Sequence, residues 1–297
     1  MPFVDRRQFC ATTLSLAFVA QAFVAKAGGA PAPAPMRILV WIEDKGPLSF
    51  IVDTGASRSA LASHAASALG ASWQPGEPVR LTTPAGNLDV PTIPVGNMRA
   101  GGQPLAIQRL PVLPRLALTT ADGLLGADAF VGAMLHLDFR AGRVQLSAAG
   151  ELADQSPAVP LRREAGGLLV VDATVESRVM VESRVIATLL DTGSLDSVAS
   201  PALARLDAAR EETRLRGADG ALLESSPATL PAVAIGETRW PPGPVRRANL
   251  APPPGVSAPP DGAALLLGLD RLTEFDWLAV DYLHGLVQFS PHRGGKE

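Results

Sequence analysis

The sequence has few of the residues that several common kinds of site require. Its 297 residues include a single cysteine, Cys10, close to the N-terminus. A disulfide framework is therefore excluded, and a cysteine nucleophile is excluded from any matured chain that has lost this region. The four histidines have no metal-like spacing and no partner cysteines, and no Gly-x-Ser-x-Gly elbow is present. We therefore expect no metal site, no cofactor and no serine nucleophile.

Charge and long helical patterns are also sparse. The net charge is -3 and the pI is about 5.9, with no basic patch interleaved with aromatic residues, so nucleic acid is not expected as a partner. Long amphipathic helical patterns are few, whereas glycine (28) and proline (27) are abundant. This composition favours many short strands and turns, and it predicts an all-β fold.

The N-terminal residues 1–27 resemble an export signal. Paired arginines at Arg6 and Arg7 precede a mildly apolar run, and a small-x-small cleavage site follows it. The run is short for a membrane span and is interrupted by Gln21, so we expect cleavage and no stable membrane anchor. The pattern is similar to bacterial twin-arginine signals, which predicts a periplasmic or secreted protein. A retained anchor and a cytosolic tail are the alternatives.

The rest of the chain repeats itself. The segment "TLLDTGSLDSVASPALARL" at 188–206 restates "FIVDTGASRSALASHAASAL" at 50–69 with one residue deleted. Further along, "LLGADAFVGAMLHLDFRAGRVQLS" at 124–147 is echoed at 266–290 with one residue inserted. Each half thus has the same order of parts.

The repeat sets the predicted organisation. In order along the chain, we predict a signal peptide at 1–27, a Pro/Ala-rich leader at 28–35, an N-terminal lobe at 36–150, a linker at 151–166 and a C-terminal lobe at 167–293. The repeat contains an Asp-Thr-Gly triplet at 53–55 and again at 191–193. Ser63 and Ser200, which follow these triplets, are predicted helix N-caps. Asp128 and Asp270, which lie just past Gly126 and Gly268, are expected to have turn or capping roles.

Two acids in matched positions suggest a specific chemistry. A glycine shortly after each acid permits a tight turn, so Asp53 and Asp191 can each lie in a loop at the end of an apolar strand. Two such loops meeting across a pseudo-twofold axis would bring the carboxyls together. At about 3 Å separation the pair keeps one proton, so one acid can act as a base toward water and the other as an acid toward a carbonyl oxygen. This combination can hydrolyse an amide without a metal.

The Asp-Thr-Gly triplets at 53–55 and 191–193 and the Leu-Leu-Gly segments at 124–126 and 266–268 resemble those of pepsin and retropepsin aspartic proteases. The resemblance implies a bilobal, all-β acid-protease fold of two retropepsin-like β-barrel lobes with short helices, and Asp53 and Asp191 as catalytic residues. The implied supports of the active loops are Thr54, Gly55, Ala56, Ser57, Thr192, Gly193 and Ser194. The implied scaffold behind the loops is Leu124, Leu125, Gly126, Leu266, Leu267 and Gly268.

Further expectations come from the same resemblance. Thr54 and Thr192 would form hydrogen bonds across the pair of acids. Ser194, where the first loop has Ala56, would donate its hydroxyl to Asp191, which predicts that Asp191 ionises more readily and that Asp53 holds the proton. The only tyrosine, Tyr282, matches Phe139 and is expected in a core strand, so the flap tyrosine usual in pepsins is missing.

Each half also carries a candidate hairpin that can serve as a flap. The flap candidates are Pro84, Ala85, Gly86 and Asn87 in the first half, and Ala218, Asp219 and Gly220 in the second. With this fold, the expected partner is a polypeptide substrate, and the expected state is a monomer containing an intramolecular pseudo-dimer. The alternatives are a catalytically silent peptide-binding or assembly module and a homodimer in which each half pairs with its counterpart.

Overall fold

The computed structural model describes residues 14–15, 33–69, 76–83, 86–114, 120–148, 156–164, 167–176, 183–206, 213–217, 222–250 and 259–291. These residues form mostly β-strands arranged in large sheets, with two short α-helices. The predicted all-β fold of the acid-protease type is confirmed. Within this described part of the chain, no helix is long and apolar enough to cross a membrane.

The N-terminal half builds one sheet around the first active loop. Its strands are β1 (Leu14–Ser15), β2 (Arg37–Ile42), β3 (Lys45–Val52), β4 (Ala60–Ala62), β5 (Gly76–Thr83), β6 (Gly86–Pro94), β7 (Met98–Ala100), β8 (Gln103–Leu105), β9 (Arg109–Leu113) and β10 (Gly123–Leu125). The spatial order is β1-β5-β6-β9-β4-β10-β3-β2-β7-β8. The strands β3 and β4, which precede and follow the first active loop, are not neighbours in the sheet. The strand β10 lies between them, parallel to β3 and antiparallel to β4.

The second half begins its own sheet at the linker. Its strands are β13 (Val159–Arg163), β14 (Leu169–Val175), β15 (Arg184–Leu190), β16 (Val198–Ala199), β17 (Arg205–Leu206), β18 (Thr213–Arg216), β19 (Leu222–Leu230), β20 (Val233–Ile235), β21 (Thr238–Trp240), β22 (Gly243–Ala248), β23 (Leu265–Leu267), β24 (Trp277–Asp281) and β25 (Leu286–Phe289). Here β23 lies between β15 and β16 in the same parallel and antiparallel arrangement. The repeat in the sequence is thus a repeat of backbone topology.

A shared sheet joins the two halves. The hairpin of β11 (Ala133–Asp138) and β12 (Arg143–Ala148) continues the second sheet, because β11 pairs antiparallel with β24. In that register His136 faces Ala279, Met134 faces Asp281 and Asp138 faces Trp277. Since the repeat matches 134 with 277, 136 with 279 and 138 with 281, the pairing is symmetric about the His136–Ala279 pair. The pseudo-twofold axis therefore crosses the shared sheet at this point.

The strand patterns follow the burial that this topology imposes. The strand β2 alternates buried and more exposed residues, as expected for a strand with one face on the core. By contrast, the final residues of β3, Phe50, Ile51 and Val52, are all completely buried, because both faces of the strand are covered there. The strand that leads to the first acid is therefore fixed from both sides.

The predicted helix N-caps are wrong. The helix α1 (Ser63–Ala68) begins at Ser63 itself, and the capping position is Ala62, which makes no side-chain cap. After Ser200 the chain makes a turn and no α-helix, and the Ser200 hydroxyl accepts the Ala264 amide at 3.0 Å. The second helix, α2 (Leu269–Leu272), and a 3-10 helix (Ala127–Ala129) follow the Leu-Leu-Gly segments instead. The Ser200 hydroxyl thus serves a tertiary hydrogen bond in place of a helix cap.

Several predicted segments lie wholly or partly outside the described residues. These are the signal at 1–27 except for Leu14 and Ser15, most of the leader at 28–35, residues 151–155 and 165–166 of the linker, and the flap residues Pro84, Ala85, Ala218, Asp219 and Gly220. The strands β5 and β6 form a hairpin in which Asn87 pairs with Thr82. Gly86 is the first residue of β6. The domain boundaries and the flap roles stay predictions.

Candidate active site

Two buried acids stand at the ends of matched strands. Asp53 follows β3 and Asp191 follows β15, and both residues have 0% exposed surface. The Asp53 amide donates to the Leu125 carbonyl, and the Asp191 amide donates to the Leu267 carbonyl, each at 2.9 Å. Each acid is thereby fixed to the Leu-Leu-Gly strand beside it.

Each carboxylate is oriented by amides of its own loop. Asp53 Oδ1 accepts the Gly55 amide at 3.0 Å. Asp191 Oδ1 accepts the amides of Gly193 at 2.9 Å and Ser194 at 3.1 Å. The other oxygen of each acid, Oδ2, is buried without a hydrogen-bond partner within the described residues. Buried acceptors of this kind are costly, so they mark a position where a polar reactant would gain a favourable contact.

The two loops are tied to each other by reciprocal threonine hydrogen bonds. The Thr54 amide donates to Thr192 Oγ1, and the Thr192 amide donates to Thr54 Oγ1, both at 3.2 Å. The two hydroxyls then donate across the axis, Thr54 to the Leu190 carbonyl at 2.6 Å and Thr192 to the Val52 carbonyl at 2.7 Å. These four bonds join the halves directly beneath the acids.

The loop glycines allow the two acids to approach each other. A Cβ on Gly55 would lie 2.4 Å from Asp191 Cγ, and a Cβ on Gly193 would lie 2.3 Å from Asp53 Cγ. Each glycine thus faces the carboxyl of the opposite loop, at a distance that no side chain tolerates. The carboxyls interact with each other across this gap.

Burial and mutual repulsion make the pair hard to ionise. Burial raises the pKa of Asp53 from 3.8 to about 7, against the opposing effect of its hydrogen bonds. Burial, followed by the negative charge of Asp53, raises the pKa of Asp191 well above its ordinary value. A pair of this kind gives up its protons in two separate steps and holds one proton between them.

The predicted role of Ser194 is wrong. Its hydroxyl donates to the Asp196 carbonyl at 2.7 Å, and only its amide reaches Asp191. The hydroxyl therefore does nothing to favour the charged form of Asp191, and the pKa of Asp191 is raised, not lowered. Ala56 and Ser194 have the same backbone role, since the carbonyls of both accept amides from beyond the Leu-Leu-Gly segments, at 2.8 Å each.

The remaining predicted residues fall around the loops. Ser57 is buried in the first loop, and the scaffold residues Leu124, Leu125, Gly126, Leu266, Leu267 and Gly268 form or end β10 and β23 behind the acids. Tyr282 is buried as expected, but it lies in the turn after β24 and not in a strand. Its ring is 5.2 Å from that of Phe130, and burial followed by the charge of Asp53 raises its pKa.

Sequence reasoning missed the hydrogen-bonding partners of Asp128 and Asp270. Both carboxyls are close to the active loops, where they accept hydrogen bonds from Ser59 and Ser197. Burial raises the pKa of Asp128, and it raises the pKa of Asp270 to about 6. A signal was present in the sequence, because serine and aspartate each recur at matched positions of the repeat, but their pairing crosses about 70 residues. No group of three metal-binding side chains occurs in the described part of the chain.

Comparison with known families points to the same class of protein. Residues 38–129 match the family described as aspartyl protease. The match spans the first active loop, the hairpin of β5 and β6 and the first Leu-Leu-Gly segment, and it supports an aspartic protease family. No curated protein matches the chain.

The close approach of the loops gives a first prediction. Gly55→Ala and Gly193→Ala should each abolish the native packing of the two loops, because the added Cβ collides with the opposite carboxyl. Thermal unfolding should show the loss. The control is Gly132→Ala, which has a positive φ of 73° but nothing within 4 Å, so it should cost backbone strain alone. Equal destabilisation by all three changes would contradict the predicted collision.

The raised pKa values give a second prediction, on stability. Because the folded pKa of Asp53 lies above its unfolded value, its contribution to stability is full below about pH 4 and is lost as pH rises through about 7. The Asp53→Asn variant cannot lose this stability. The difference between its melting temperature and that of the wild type should therefore increase as the pH rises from 4 to 8. A relative rise of roughly 2–4 °C corresponds to about 1 kcal/mol in a domain of this size.

The control for that experiment is Asp44→Asn, which removes a charge from a side chain that is 83% exposed. Its melting temperature relative to the wild type should change little over the same pH range. If Asp53→Asn behaves like Asp44→Asn, burial does not raise the pKa of Asp53 as described.

Proposed function

We propose that the protein is an aspartic endopeptidase in which Asp53 and Asp191 activate a water molecule between the two lobes. The observation that carries the proposal is the pair of buried carboxyls, each fixed by loop amides and each with one buried oxygen that no described residue outside the pair reaches by a hydrogen bond. The family match over residues 38–129 supports the same class of enzyme.

The chemistry follows from a pair that shares one proton. The ionised carboxyl accepts a proton from water, whose oxygen attacks the amide carbon, while the protonated carboxyl donates to the carbonyl oxygen. As the tetrahedral intermediate collapses, the first carboxyl passes the water proton to the nitrogen, the second recovers a proton from a hydroxyl as the C=O bond re-forms, and the C–N bond breaks to release the amine. The raised pKa values keep one acid protonated to near neutral pH, so the donor is available under mild conditions.

The reciprocal threonine bonds support this role. They fix both backbones next to the acids, so the carboxyl geometry depends little on side-chain rotamers. Such fixed positioning is worth more to a reaction than a flexible pair of the same groups. Both acids are fully buried, so peptide access requires movement of the segments that surround them.

Substitution of either acid tests the proposal. Asp53→Asn and Asp191→Asn should each lower kcat/KM for an unfolded protein substrate by roughly 10²–10⁴-fold or more, because each variant loses one partner in proton transfer. Cleavage is measured from acid to neutral pH, with pepstatin as an inhibitory probe and with a chelator that should have no effect. Asp138→Asn is the control, since its carboxylate bonds Ala141 and Arg143 in a surface turn.

The rival function is a catalytically silent peptide-binding module with the same fold. A wild-type protein that binds unfolded peptides but cuts none at any pH would support the module and overturn the proposal. Full activity in either acid variant would also overturn it.

The proposal extends to the state and location of the protein. We propose a monomer, because two halves of one chain supply both acids, and an exported enzyme, because residues 1–27 resemble a twin-arginine signal. Gel filtration of the processed chain should give the mass of one copy. Replacing both Arg6 and Arg7 by lysine should prevent export, as judged by cell fractionation, and export unaffected by the change would contradict this address.

A further inference from the structure

Behind the first active loop, a carboxylate outside the catalytic pair holds the far end of the loop. Asp128 lies in the 3-10 helix that follows Gly126, and its Oδ1 accepts both the amide and the hydroxyl of Ser59, each at 2.7 Å. The Ser59 hydroxyl in turn accepts the Gly126 amide at 3.0 Å. Aspartate, serine and glycine thus form one continuous chain of hydrogen bonds.

The second loop has the same chain of bonds. Asp270, in α2, accepts the amide of Ser197 at 2.8 Å and its hydroxyl at 2.6 Å, through the same oxygen Oδ1. The Ser197 hydroxyl accepts the Gly268 amide at 2.9 Å. The same Asp-Ser-Gly hydrogen bonds occur in both halves although the surrounding residues differ. We therefore link these bonds to the active loop, which both halves contain.

These bonds complete the attachment of each loop to its scaffold. The near end of the second loop is fixed where the Asp191 amide meets the Leu267 carbonyl, and the far end is fixed at Ser197. The amides of Gly193 and Ser194, which orient the Asp191 carboxylate, lie between these two anchors. The Ser194 and Leu195 carbonyls also accept the amides of Leu269 and Asp270, so loss of the far anchor would loosen the segment that aims the catalytic oxygen and not free it completely.

We propose that Asp128 and Asp270 are positioning residues for the two catalytic acids, acting through Ser59 and Ser197. The inference rests on the proposed protease function, since positioning has a consequence for rate only where the acids react. Neither residue is placed in contact with substrate. Each holds its loop so that the loop amides meet the carboxylate at hydrogen-bonding distance.

The test compares Asp270→Ala with Asp270→Asn. Alanine removes the acceptor for both Ser197 donors, whereas asparagine keeps an oxygen at the same place. Asp270→Ala should lower kcat by roughly 10–100-fold with KM changed by less than about threefold, because small displacements of reacting groups have effects of this size. Asp270→Asn should recover most of the rate. Asp128→Ala and Asp128→Asn should follow the same order.

The pH profile separates positioning from mere stability. When the Gly193 and Ser194 amides move away, the charged form of Asp191 loses hydrogen bonds, so the pKa values of the pair rise. The active pH window of Asp270→Ala should therefore shift upward by roughly half a unit or more. A purely structural role would lower the folded fraction but leave the window of the folded enzyme in place, and that result would overturn the proposal.

The control is Asp138→Ala. It removes a carboxylate from the turn of the β11–β12 hairpin, where the carboxylate accepts hydrogen bonds from Ala141 and Arg143. It should leave both kcat and the pH window unchanged. A readout without turnover keeps the inference separate from the protease proposal: NMR titration of the Asp53 and Asp191 carboxyl carbons, with hydrogen exchange at Gly193 and Ser194. If the wild type cuts nothing, an upward carboxyl titration and faster exchange in Asp270→Ala still support positioning, and their absence contradicts it.

Discussion

The burial of two carboxyls against each other is the constraint on which the rest of this structure depends. Two acids of like charge avoid each other unless the backbone holds them in place. Here the holding groups are backbone amides and the reciprocal hydrogen bonds of Thr54 and Thr192, which join the two loops before any side chain is oriented. The absence of a side chain at Gly55 and Gly193 then lets each loop approach the opposite carboxyl. Burial is the main cause of the raised pKa values of both acids, and the negative charge of Asp53 adds to the rise at Asp191.

The twofold symmetry that relates the two active loops also relates the two central strands of the shared sheet. The pairing of β11 with β24 is centred on His136 and Ala279, which are matched positions of the repeat. An antiparallel pair of equivalent strands has its twofold axis at its centre, so this sheet and the threonine contacts are two places where one axis is fixed. Because a shift of one residue would turn every side chain of a strand to the other face, the register is strongly specified. The buried Leu135, Leu137, Leu278 and Val280 specify it here.

Local sequence was enough to predict the fold class, the repeat and the two acids at strand ends. Apolar runs, glycines and the doubled triplet each depend on a few neighbouring residues, so no knowledge of distant contacts was needed. The predictions that were wrong concern side chains with several possible partners. Ser63 and Ser200 were suited to capping, and Ser194 to bonding Asp191. Instead α1 already includes Ser63, the Ser200 hydroxyl accepts the distant Ala264 amide, and the Ser194 hydroxyl donates to the Asp196 carbonyl two residues along the chain. The partners of Asp128 and Asp270 lie about 70 residues away, which no local pattern encodes.

Differences between the halves therefore lie behind the loops more than within them. Ala56 and Ser194 are equivalent in their backbone contacts, so they do not distinguish the two acids. The matched positions 58 and 196 carry opposite charges. Burial raises the pKa of both Asp128 and Asp270, the latter to about 6. Arg58, 3.9 Å from Asp128, and Arg271 favour the charged forms of the two carboxyls, whereas Asp196 opposes the ionisation of Asp270 alone. Two loops with the same hydrogen-bond geometry are thus anchored by carboxyls with different electrostatic surroundings, so the two halves differ at these anchors even where their loops match.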